Sequence, residues 1–166
     1  IIEQVPEFSP YICFEPQKTG GAAMCMGGPE QAMSADSYNS YGGQYKVLDD
    51  EMARWLGQFP GILDRMNRVK VEYSFVVVNK VADNSNGKTK VWVDGPALTY
   101  GNRPQTVTLD YKACGRLHYS TYNTEPNAVV VDSARWPNNC GTKLAPQERL
   151  LEYLFFNIAA CVGPPG

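Results

Sequence analysis

Between Val69 and Ala134 the chain carries one strand-like run after another, and a single amphipathic segment from Pro146 to Val162 closes it. That order leads to a sheet with helical cover. Residues 69–79, VKVEYSFVVVN, alternate at first and then become continuously apolar, as an interior strand does. ADNSNGKTK follows, with Asn86-Gly87 as its turn signal, and returns into residues 90–95, KVWVDG. Asp83, Ser85 and Gly87 have a loosely calcium-like spacing, but no distal glutamate completes an ion loop, so the turn is preferred. Residues 106–113 alternate through Val107, Leu109 and Tyr111. GRLHYSTY (115–122) and AVVVDSA (128–134) are further strands.

Two helices frame these runs. LDDEMARWLGQF (48–59) repeats Leu48, Met52, Trp55, Leu56 and Phe59 at helical spacing, with Asp49 or Asp50 to cap its start. In residues 146–162, Leu150, Leu151, Leu154, Phe155, Ile158 and Ala159 make one broad apolar face. Pro146 suits the first helical position, although Ala145 before it is a poor cap. Residues 1–45 show no sustained period and read as a loop-rich segment, so residues 1–166 form one domain with its sheet and helices in 46–166.

Composition narrows the function. The 166 residues carry a net charge of −2 and no cluster of lysine and arginine, so the electrostatic attraction that dominates nucleic-acid binding is missing. No apolar run reaches the roughly 18 residues of a membrane span. The five cysteines are Cys13, Cys25, Cys114, Cys140 and Cys161, with no Cys-x-x-Cys and one histidine, His118, so no zinc pattern is present and no cofactor is expected. The cysteines favour an extracellular or cell-surface protein with disulfides. A strand over 115–122 climbs about 26 Å at ~3.3 Å per residue, and a helix over 146–161 returns about 24 Å at ~1.5 Å per residue. That matches Cys114 to Cys161. Cys13–Cys25 is the second pairing, and Cys140 is left over. The apolar start Ile1-Ile2 is expected to be a processed or trimmed end.

Three stretches carry a resemblance: Cys114-Gly115-Arg116 opening a strand, STYNTE at its other end, and LAPQERLLEYLFFNIAACV. In that order they resemble the C-terminal part of a class I glutamine amidotransferase-like domain of secreted or surface bacterial proteins. IIEQVPEFSPYICFE and LDDEMARWLG resemble pieces further upstream. The match is strongest over residues 105–162 and weak before 69. The resemblance implies a flavodoxin-like three-layer α/β sandwich with a mostly parallel sheet, incomplete here because the half bearing the nucleophile is expected upstream of Ile1. An α+β fold with an antiparallel sheet is the alternative. The sandwich expectation requires 115–122 to climb mid-sheet; neighbours that all run opposite to it would overturn the assignment.

Active members of that family use a cysteine nucleophile with a His-x-Glu pair. Asn123 stands where the histidine would be, and Glu125 matches the glutamate. An amide cannot take a thiol proton, so the resemblance implies a domain that has lost its base. The expected function is a non-catalytic structural or interaction module whose partner is another protein chain or the upstream segment. A second reading is a cysteine-dependent hydrolase split across chains, using Cys25 or Cys140 with His118 and Glu125. A third is a glycan-binding adhesive domain. Its ligand candidates are Tyr122 and Trp136, both expected to be exposed, with Asn123 and Glu125 at the strand end.

Overall fold

The computed structural model describes residues 12–15, 33–81, 89–97, 101–111, 115–122 and 144–159. Its elements are β1 (Ile12–Glu15), β2 (Met33–Val47), α1 (Asp50–Leu56), β3 (Arg68–Val81), β4 (Thr89–Pro96), β5 (Asn102–Tyr111), β6 (Gly115–Ser120) and α2 (Pro146–Ala159). Strands β2 to β6 pair antiparallel throughout, in the order β3-β2-β4-β5-β6, and curl into a half-barrel. The short β1 lies parallel to the start of β2. The fold is mostly sheet, with two helices.

The mostly parallel three-layer sandwich is therefore incorrect. β6 does not climb through the middle of a sheet: among the described residues its only strand neighbour is β5, and β5 runs opposite to it. The reason is chain length. Residues 112–114 alone separate β5 from β6, whereas a parallel crossover needs roughly a dozen residues or more. The loss of a catalytic base at Asn123, inferred from that sandwich, loses its structural basis with it.

Two further expectations change. Residues 33–45 of the segment read as loop-rich belong to β2, which has 15 residues and pairs with β3 from Met33 to Lys46. Its register slips at Ser34/Ala35, Asp36/Asn39 and Asn39/Tyr41, and such irregularities bend a strand. At Gly42 the two strands come so close that a Cβ would lie 2.1 Å from the Glu72 carbonyl oxygen, so only glycine fits there. The second change concerns the run before residue 90. β3 and β4 are not neighbours; both flank the end of β2, where Lys46 lies between Arg68 and Asp94.

Both faces of the curled sheet are apolar. On one, Val78 and Val107 are buried with Val91, Leu117 and Tyr119 packed around them. The other face carries both helices over Tyr45, Val47, Val69, Trp92 and Tyr122. Asp49 caps α1: its carboxylate accepts the Met52 amide at 2.7 Å and the Lys90 ammonium at 2.6 Å. Lys90 also lies 3.7 Å from the centre of the Trp92 ring. In α2, Leu150 and Leu154 are fully buried and Leu151 nearly so, at the i, i+1, i+4 spacing of one helical face. The weak cap at Ala145 is offset by Glu148, whose carboxylate turns back to accept the Ala145 amide. Gln147, buried beside it, accepts the Glu72 amide at 3.0 Å and so ties the first turn of α2 to β3.

Candidate functional site

The chemistry-bearing side chains collect on the helix-facing side of β5 and β6. The register pairs Thr106 with Ser120, Thr108 with His118, and Asp110 with Arg116, and alternate residues of a strand share a face. At the Tyr122 end, the phenol and the Thr106 hydroxyl share a hydrogen bond of 2.7 Å. Next, the Trp92 indole donates to the Thr108 hydroxyl at 2.8 Å. At the far end, Arg116 donates to both oxygens of Asp110, at 2.6 and 3.2 Å, and reaches the Asn157 amide oxygen of α2 at 3.0 Å. The buried pair Gln105 and Thr121 on the opposite side is closed in the same way, with Thr121 donating to Gln105 and Gln105 to the Gly95 carbonyl. Buried polar groups are tolerated when each holds a partner, and these do.

On the helix-facing side of β5 and β6, His118 is the exception among the described residues. It is half-buried, and its Nε2 is enclosed and makes no hydrogen bond. Burial pushes its pKa down to about 4, so the imidazole is neutral at neutral pH. A general base needs a substrate proton within reach and is commonly oriented by a carboxylate. Among the described residues, the carboxylate on that face of β5 and β6, Asp110, is engaged by Arg116.

α2 presents a different kind of feature. Phe155 and Phe156 are 67% and 68% exposed although they follow directly on the buried leucines. At 3.6 residues per turn, Phe156 falls on the far side of the helix from Leu151 and Leu154. Phe155, expected on the apolar face, sits at its rim and points out of it. A shallow open depression of about 370 Å³ lies elsewhere, between β2 and β3, lined by Gly42, Gly43, Gln44, Lys70, Val71 and Glu72. It holds no nucleophile and no histidine.

The structure places the sequence candidates unevenly. Tyr122 is buried, at 3% exposure, rather than presented to a glycan. Burial raises the pKa of its hydroxyl, against the hydrogen bonds of Thr106 and Ser120. His118 and Tyr122 share a face of the β6 segment. Cys13 lies on β1, where the backbone alone is described. Cys25, Cys114, Asn123, Glu125, Trp136, Cys140 and Cys161 lie outside the described residues, as does the turn at 86–87. Arg116, Asp110 and Asn157 were not singled out from the sequence; opposite charges six residues apart across a tight reversal are the signal that could have found the first two.

Among the described residues, no group of histidine, cysteine, aspartate or glutamate side chains could hold a metal ion, and no helix is long and apolar enough to cross a membrane. No family model, curated protein or solved structure matches the chain.

Proposed function

We propose that the chain is a non-catalytic structural or interaction module of an extracellular or cell-surface protein, and that it contacts another protein chain through α2. The observation that carries this reading is the Phe155–Phe156 pair. Two adjacent aromatic side chains, each about two-thirds exposed, can bury large apolar area on association, and aromatic residues are enriched where proteins meet. The polar face beneath α2 supports the same reading, because its hydroxyl, amide and guanidinium groups hold one another and, among the described residues, leave the neutral His118 without a carboxylate partner.

Sedimentation velocity over a wide concentration range tests it. The protein should associate as concentration rises, and Phe155→Ser with Phe156→Ser should abolish that association while leaving circular dichroism unchanged. A stable monomer at every concentration, for both proteins, would count against α2 as a contact surface.

A further inference from the structure

We propose that His118 is the proton-sensitive catch of a latch between β6 and α2: protonating its imidazole frees the C-terminal half of α2 while Gln147 keeps the first turn in place. The placement follows from register. Arg116, His118 and Tyr122 lie on one face of the strand segment. Arg116 is bonded to Asn157 near the end of α2, and Tyr122 packs in the cluster that holds Leu150, Leu151 and Leu154. His118 stands between these two contacts, so it lies under the middle of the same helix.

Among the described residues, a proton arriving there finds no free counter-ion. The described charged groups around the seam are Arg116 on β6, Asp110 on β5, Lys90 on β4, Asp49 at the start of α1, and Arg149 and Glu152 on α2. Each carboxylate already holds a cation: Asp110 has Arg116, Asp49 has Lys90 and Glu152 has Arg149. Glu148, on the first turn of α2, is held by the Ala145 amide. An imidazolium would therefore be a second cation beside Arg116 in a half-buried seam, and burying an unpaired charge is costly. Separating α2 from β6 at its C-terminal half returns the ring to water. The first turn does not follow, because Gln147 is bonded to the backbone of β3 on the other side of the sheet. Opening also uncovers Leu154 next to Phe155, widening the apolar surface that α2 presents.

The sign is that of a base held neutral. The open form takes up its proton below about pH 6.5 and the closed form only near pH 4. Between those values the opening constant rises about tenfold per pH unit, up to about 300-fold in all. Hydrogen exchange should be followed from pH 7 to pH 4, each rate referred to its intrinsic value at that pH. Proton NMR titration of the imidazole should accompany it; the signal is unambiguous because the chain has one histidine. Amides of residues 154–159 and 116–120 should lose protection in that window while those of 45–47 and 69–71 keep theirs, and the imidazole should titrate well below pH 6.5. His118→Gln, which cannot become charged, should make the α2 exchange independent of pH over the same range. If that variant does not fold, the two measurements on the natural protein decide alone. An imidazole titrating at its ordinary value, α2 protection unchanged down to pH 4, or all strands and α2 losing protection together, would overturn the latch.

Discussion

The two helices cover the same face of the sheet and are held to it by different means. α1 has seven residues, too few for a helix to persist alone in water, yet each of its polar attachments is closed. Asp49 caps it, Lys90 neutralises Asp49, and Met52, Ala53 and Leu56 are buried. Burial works against the Asp49 carboxylate, but the Lys90 ammonium and the Met52 amide more than offset it and hold its pKa below the usual value. α2 is twice as long and is fixed firmly at one end, by Gln147, Leu150 and Leu151. Its other half is bonded through Arg116–Asn157 and carries two exposed phenylalanines. A small helix with closed polar accounts is framework. A longer one with a partly open seam is where the molecule can move and make contacts.

Substitutions can break this contrast. The largest effect should come from Leu150→Ala or Leu154→Ala, which leave a cavity under α2 and should cost about 2–5 kcal/mol in urea unfolding. Asp49→Ala removes the α1 cap and the Lys90 partner together and should cost about 1–2 kcal/mol by the same measurement. Its cost should fade in acid, since the contribution of a carboxylate with a lowered pKa is lost as pH falls through its folded value. Replacing Phe155 by serine should change stability by less than about 0.5 kcal/mol, because the side chain is mostly in water already, and should still weaken association. An equal loss of stability at Leu154 and Phe155 would erase the distinction between the two faces of α2.

The helices were legible in the sequence because their information is local. Asp49 as a cap, Met52 and Leu56 as a buried pair, and the i, i+1, i+4 leucines of α2 follow from a 3.6-residue period that needs no knowledge of the rest of the chain. The extents of β3, β4 and β6 were legible for a similar reason. Pairing was not, because a period of two says which residues share a face and nothing about which strand lies alongside. The clue that was available is length: three residues between β5 and β6 allow a reversal and exclude a crossover. β2 was the hardest element. SADSYNSYGG has the composition of a loop, and its strand conformation depends on partners far along the chain. The apolar run of β3 lies beside it, and Tyr45 and Val47 complete the core from its far end. The candidate site followed the same division. His118 was visible as the sole histidine and Phe155 as an apolar helix residue. The burial of one and the exposure of the other depend on how the sheet curls beneath α2.

Residue-resolved hydrogen exchange at pH 7 tests the contrast between the helices most directly. The amides of Ala53 and Leu56 in α1 should exchange only with global unfolding, while those of Phe155, Phe156 and Asn157 should exchange through a smaller, local opening of α2. Equal opening free energies for the two sets, or faster exchange in α1, would contradict the account.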